Sequence, residues 1–304
     1  MRVFVAGATG AIGRPLVTQL LEAGHEVVGM TRSEERAQAL RAAGAEAVIA
    51  DALDAEAVLR TVEGAHPDVV VNELTDLDRP LNPRKYGEWL EGTNRLRTEG
   101  TRNLVEAARA ATAATVISQS VAFAYTFDPG LKTEEAPLLG HEAGPMADAI
   151  LELERRTLDA GGIVLRYGFF YGPGTAYDRN GQQIELIEKR QMPIIGGGNG
   201  CFPFIHVDDA AAATVAAIER GTTGVYNVVD DDPAAGCEWI PELAGIIGAA
   251  KPRRVPKFIA RMMAGRLAVM ATQMQPVSNA KAKAALGWQP RHPSWRDGFR
   301  AELG

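Results

Sequence analysis

The groups best suited to chemistry stand near the start of the chain. Gly7-Ala-Thr-Gly10-Ala-Ile-Gly13 follows a short apolar run, Arg2–Ala6, and opens a helical pattern over Arg14–Ala23. A strand, a glycine turn and a helix N-terminus in that order bring backbone N–H groups and a partial positive charge to one point, where a pyrophosphate binds. Gly7, Thr9, Gly10, Ala11, Ile12 and Gly13 are therefore the expected cradle of a dinucleotide. The next strand ends Val28-Gly-Met-Thr31-Arg32. An acid at that place holds the ribose 2′-hydroxyl of NAD. Arg32 offers a guanidinium, which matches a 2′-phosphate, so NADP(H) is favoured over NAD(H), with Arg14 as a helper. The plain alternative is a solvated arginine ahead of a helix.

These groups need a scaffold. Glu26–Met30, Ala47–Ala50, Asp68–Val71, Thr115–Ser118 and Ile163–Tyr167 read as further strands. They alternate with helical patterns that start after Ser33 and cover Ala55–Val62, Tyr86–Ala111 and Pro145–Asp159. Strands that are apolar throughout, such as Val69-Val-Val71, suit a parallel sheet covered on both faces. The alternation implies right-handed crossovers. The expected fold is α/β, a Rossmann-type doubly wound parallel sheet with a smaller C-terminal substrate-binding part. Residues 1–171 would form the dinucleotide-binding domain. Residues 172–304 would be mostly substrate-binding, with a strand near Val225–Val229 returning to the sheet.

A net charge of -6 argues against a nucleic-acid or anionic-membrane partner. No apolar run approaches the ~20 residues of a membrane span. The Met-rich stretch Phe258–Met274 is interrupted by Arg261 and Arg266 and reads as an amphipathic helix. Cys201 and Cys237 lie far apart, with no metal-ligand spacing, and read as buried thiols. With a first strand beginning at Arg2, no room is left for a signal peptide. The expectation is a cytoplasmic protein, monomer or homodimer, with a small-molecule substrate, no nucleic-acid or membrane partner and no metal.

Over nearly its whole length the chain resembles the extended short-chain dehydrogenase/reductase superfamily. The motifs are Gly7 to Gly13, Asp51-Ala-Leu53, Glu99-Gly-Thr-Arg-Asn-Leu104, Ser118-Gln-Ser120, Arg166 through Tyr171-Gly-Pro-Gly174, and His206-Val-Asp-Asp209. The resemblance implies cofactor contacts by Asp51, Ala52, Leu53, Leu74, Ser118, Tyr167 and Phe169. Such enzymes use a Ser/Thr with Tyr-x-x-x-Lys on one helical face, the tyrosine moving the hydroxyl proton. Registered on Glu154 and the following strand, Met146 takes the tyrosine place and Ile150 the lysine place, and neither exchanges a proton. The family's Asn before the Gly-Thr step is Arg97. The resemblance is thus to an atypical branch lacking the pair.

Ser120 is the counterpart of the family's catalytic serine, or else a strand-end serine bonded to nearby backbone. A hydride acceptor's alkoxide could be protonated by Tyr125, by Tyr167, or by a phenol on the substrate itself. A pocket lined by Met146, Phe169, Phe170 and the Met-rich helix would suit that last route. His206 and the two aspartates after it read as structural, with Asp208 or Asp209 capping the alanine-rich helix. His141 reads as a solvated loop histidine. The leading expectation is an NADPH-dependent reductase of a carbonyl on a bulky, largely apolar molecule, such as an aromatic polyketide-like ketone, with Ser120 and Tyr125 catalytic. The alternatives are a redox-neutral epimerase, isomerase or dehydratase on a nucleotide sugar, and a non-catalytic NADP(H)-sensing regulator.

Overall fold

The computed structural model describes residues 1–77, 79–82 and 85–304. Six strands alternate with helices: β1 (Arg2–Ala6), β2 (Glu26–Thr31), β3 (Glu46–Ile49), β4 (Val69–Asn72), β5 (Thr115–Val121) and β6 (Ile163–Tyr167). Short strands β7 (Phe169–Tyr171), β8 (Ile194–Ile195), β9 (Cys201–Phe202) and β10 (Phe204–His206) follow, and β11 (Gly224–Val228) returns to the main sheet. The seven-stranded order is β11-β6-β5-β4-β1-β2-β3, parallel throughout. The order reverses between β1 and β4, and in an open α/β sheet the crevice at such a reversal receives the ligand.

Helices α1 (Gly13–Glu22), α2 (Glu34–Ala42), α3 (Ala55–Ala65), α4 (Tyr86–Arg95), α5 (Thr101–Ala110) and α6 (Pro145–Asp159) belong to this first part. α7 (Gln182–Glu188) and α8 (Val207–Arg220) follow, then α9 (Gly236–Ile246), α10 (Lys257–Gln273), α11 (Ala280–Leu286) and α12 (Trp295–Leu303). One sheet face is closed by Leu16, Val17 and Leu20 of α1 with Ala210 and Ala213 of α8. The other is closed by Val58 and Val62 of α3 with Leu104 and Ala107 of α5. Each larger aliphatic side chain among these contributes about 1.5–3 kcal/mol on leaving water. A third core gathers aromatic residues of the later elements, among them Tyr171, Phe204, Trp239, Trp295 and Phe299.

Local chemistry sets the helix starts. The Ser33 hydroxyl accepts from Arg36 N–H, and the Asp54 carboxylate accepts from Ala57 N–H. Such a cap stabilises by about 1 kcal/mol. At α8 the cap is His206, whose Nδ1 accepts from Asp208 N–H at 3.2 Å. Asp208 and Asp209, expected to cap, lie inside the first turn, where an acid favours the helix dipole. Asp209 reaches across to accept from the Arg291 and His292 N–H groups, tying the C-terminal segment to α8.

Two long elements are less regular than their sequence patterns suggest. The helix expected over Tyr86–Ala111 carries a π-turn, Leu96–Gly100, between α4 and α5. The Met-rich helix α10 is broken at Gly265, where φ is 50° and ψ -118°. Both cysteines are free and half-buried, so neither is the enclosed thiol expected.

Candidate functional site

The glycine loop stands at the C-terminal end of β1. Gly7 has φ 89°, and a Cβ there would lie 2.6 Å from the Glu73 carbonyl oxygen. A Cβ on Gly13 would lie 2.1 Å from the Gly7 carbonyl oxygen. Only glycine permits a turn this tight against β4 and α1. α1, unlike α2 and α3, has no side-chain cap and no acid in its first turn. Its positive end is therefore left for an anion, which fits the pyrophosphate of a dinucleotide. Arg14, in that first turn, turns toward the Gly172–Gly174 loop: a Cβ on Gly174 would meet its Nη2 at 2.8 Å.

The remaining positions expected to hold the cofactor lie along the same sheet edge. Thr9 and Ala11 are half-buried, Gly10 is exposed and Ile12 buried. Arg32 is exposed beyond β2 with no hydrogen bond or ion pair to any described residue. Beside it the buried Thr31 hydroxyl also has no partner among them. After β3, Asp51 is exposed and accepts from Leu53 N–H at 2.9 Å, while the Ala52 carbonyl accepts from Asn103. Leu74 is half-buried after β4. Ser118 is fully enclosed on β5 and accepts from the Thr157 hydroxyl at 2.8 Å.

Toward the C-terminal ends of β5 and β6 the expected proton donors are joined in buried hydrogen-bond networks. β5 and β6 pair Ser120 with Arg166. The Ser120 hydroxyl donates to Glu154 at 2.6 Å, and Arg166 grips the same carboxylate with Nε at 2.8 Å and Nη2 at 2.6 Å. Arg166 Nη1 donates to the Tyr125 oxygen at 2.8 Å, and Tyr125 donates to Asn227 at 2.7 Å. All five side chains are buried. Burial pushes the Tyr125 phenol up, against the pull of Arg166. Tyr167 faces the opposite side: its hydroxyl lies 2.6 Å from Thr214 and 3.2 Å from Glu73. There burial lifts the Glu73 carboxyl to about 8, tempered by the bond from Tyr167, and its Oε2 has no partner among the described residues.

α6 contains neither tyrosine nor lysine. Met146 and Ile150 lie buried on its inward face with Leu90, Val121, Ala124 and Met270, and Tyr86, Trp89, Phe123 and Phe127 pack around them. Two open hollows meet at Met146. One of about 440 Å³ is lined by Phe127, Leu139, Met146, Arg266 and Met270 among others. The other, about 1210 Å³, runs past Tyr86, Met146, Met262, Met263 and Arg266. Phe169 stacks on Phe123 of this cluster at 4.3 Å, and Phe170 is tilted against Tyr167 at 5.4 Å; neither lines these two hollows. His141, at the mouth, pairs with Asp148.

Two residues stand out here that the sequence did not mark as functional: Tyr86, and Arg97, visible there only as a substitution. The Tyr86 hydroxyl reaches the Met146 sulfur at 3.5 Å. Burial pushes this phenol up, and the charges of Arg97 and Arg266 draw it back. The signal that could have found it is spacing: Tyr86, Leu90, Thr93 and Arg97 repeat at three and four residues, on one helical face.

A family model described as NAD dependent epimerase/dehydratase family matches residues 3–229. The chain is 45% identical, over 99% of its length and 100% of the relative's, to 3-diazoavenalumate denitrifying reductase from a Streptomyces species. The Thermus thermophilus UDP-glucose 4-epimerase in complex with NAD superposes with a TM-score of 0.78 at 22% identity, covering 100% of this chain and 98% of that one. The human epimerase family protein SDR39U1 with NADPH gives 0.76 at 21%, covering 100% and 99%.

Proposed function

Since the chain belongs to the NAD dependent epimerase/dehydratase family, and is an enzyme of its oxidoreductase kind, we propose that it is an NADPH-dependent reductase that replaces a diazo group of an aromatic small molecule by hydrogen. The observation that carries this reading is the state of the hydroxyls. Ser120 has spent its single proton on Glu154, Tyr125 and Tyr167 are held in buried bonds, and α6 has neither Tyr nor Lys. A carbonyl reduction leaves an alkoxide that must be protonated. A diazonium carbon does not: Ar–N≡N⁺ gains a hydride and gives Ar–H and N₂, with no proton consumed. The 45% identical relative is named for a diazo substrate and for denitrification, which supports the same chemistry.

Gly7 to Gly13 and the free end of α1 would hold the pyrophosphate, with Arg32 and the Thr31 hydroxyl offered to a 2′-phosphate. The reduced nicotinamide supplies a hydride when bound. Met146, Phe127, Leu139 and Met270 give the smaller hollow an apolar wall against which an aromatic ring can pack, beside Arg261 and Arg266.

The test mixes protein, NADPH deuterated at nicotinamide C4 and a set of diazo arenes and aromatic ketones. Expected is loss of reduced-nicotinamide absorbance with diazo arenes, with deuterium at the ring carbon that carried nitrogen. Turnover of ketones alone would sink the reading. A second reading, reduction of a carbonyl on a bulky apolar molecule, is favoured by one observation. The Tyr86 phenol sits against Met146 and, among the described residues, makes no bond besides that weak one to sulfur. Tyr86→Phe then separates the two. It would lower ketone turnover by about 10²-fold or more and leave diazo removal within a few-fold.

A further inference from the structure

We infer that Arg97 is the anchor for a carboxylate on the substrate, so that this site takes aromatic acids rather than neutral arenes. The inference rests on the reading above that substrate lies in the hollow beside Met146. Arg97 stands on the π-turn between α4 and α5, 7% exposed, and makes no hydrogen bond or ion pair with any described residue; its Nη1 is both enclosed and without a partner among them. A π-turn inside a long helix frequently marks a functional position. An arginine buried this deeply ordinarily has an acid, as Arg166 has Glu154. An enclosed cation left unpaired is destabilising, and a fold keeps one where a ligand completes it.

Its surroundings select the ligand. Arg97 lies on the helical face that carries Tyr86 and Leu90, toward α6, and its charge acts on the Tyr86 phenol. Burial lowers its pKa to about 10, so it remains a cation at neutral pH. Among the described residues the other cation acting on Tyr86 is Arg266, at the rim, where Nη2 donates to the Glu142 carbonyl. A single guanidinium fork matches one planar monoanion, held by two parallel N–H···O bonds.

The experiment is calorimetric binding of benzoate and 4-hydroxycinnamate, each beside its carboxamide, to NADPH-loaded protein, with Arg97→Met and Arg97→Lys as variants. Expected is at least tenfold tighter binding of each acid than of its amide. Arg97→Met would erase that preference, Arg97→Lys would keep part of it, and NADPH affinity would stay within about twofold in both. Removing an unpaired buried cation should also raise Tm in Arg97→Met, whereas loss of a merely structural arginine would lower it. Equal binding of acid and amide, no binding of either acid, or an Arg97→Met protein that binds acids normally would each overturn the inference. So would a drop in NADPH affinity matching the drop for acids, which would give Arg97 to the cofactor. Normal acid binding together with no NADPH oxidation by any diazo arene or ketone would instead count against the reductase reading and leave Arg97 in place.

Discussion

The proton on a single hydroxyl decides how this site is read. Ser120 donates to a carboxylate that is also gripped twice by Arg166, so donation to a substrate oxygen would require breaking a charge-assisted bond in a buried site. Ser120→Ala should therefore cost about 1–3 kcal/mol of stability, measured by urea unfolding, and change kcat with a diazo arene by only a few-fold. A loss of 10²-fold or more in kcat with unchanged stability would return Ser120 to a catalytic role. Arg32 carries the opposite expectation. It has no partner among the described residues, so Arg32→Ala should leave stability alone and raise KM for NADPH by about 10- to 100-fold, with NADH unaffected. Equal effects on both cofactors would remove the 2′-phosphate assignment.

At the scale of elements, helix ends and interruptions position the chemistry. α1 begins with neither a side-chain cap nor an acid in its first turn, whereas α2 and α3 are capped by Ser33 and Asp54, and its start lies beneath the glycine loop. The π-turn at Leu96–Gly100 sets Arg97 facing inward. In α10 the break at Gly265 carries Met262 and Met263 out to solvent, 81% and 59% exposed, while Met270 and Met274 beyond it are buried. The backbone at Gly265 is in a region that only glycine populates freely. Gly265→Ala should cost about 1–3 kcal/mol, seen as a lower Tm, because the added Cβ meets no described neighbour and only backbone strain remains. An unchanged Tm would mean that the helix straightens at no cost.

Across the whole molecule, Glu73 links β4 to β6 and α8 through Tyr167 and Thr214. Burial raises its carboxyl to about 8, and the bond from Tyr167 opposes this. A carboxyl whose folded pKa lies above its unfolded one binds more protons when folded. Stability from this group is thus fully present below the ordinary carboxylate value, falls as pH rises toward about 8, and is flat beyond. The fall is on the order of a few kcal/mol. Urea unfolding between pH 5 and pH 8 should show the decline in the wild type and a much flatter profile in Glu73→Gln. Parallel profiles would show that the carboxyl is not the titrating group.

The sequence by itself determined the layers and the tight glycine turn after β1. Apolar runs such as Val69-Val-Val71 and the Gly7–Gly13 turn are local signals, and local backbone physics makes strand, turn and helix of them without distant partners. It also announced the return of β11 to the sheet, because Val225–Val229 has much the same apolar character. The hydroxyl networks were not legible, since Ser120 and Glu154 are 34 residues apart and Tyr125 and Asn227 are 102 apart. Nor was the break in α10, where one glycine in a helical pattern gives no sign of its φ. Arg97 was visible as a departure from a motif, yet its isolation was not. Whether a cation is paired depends on which acids the fold carries within about 4 Å of it. Only the packing of α4 and its π-turn against α6 decided that no described acid would be there.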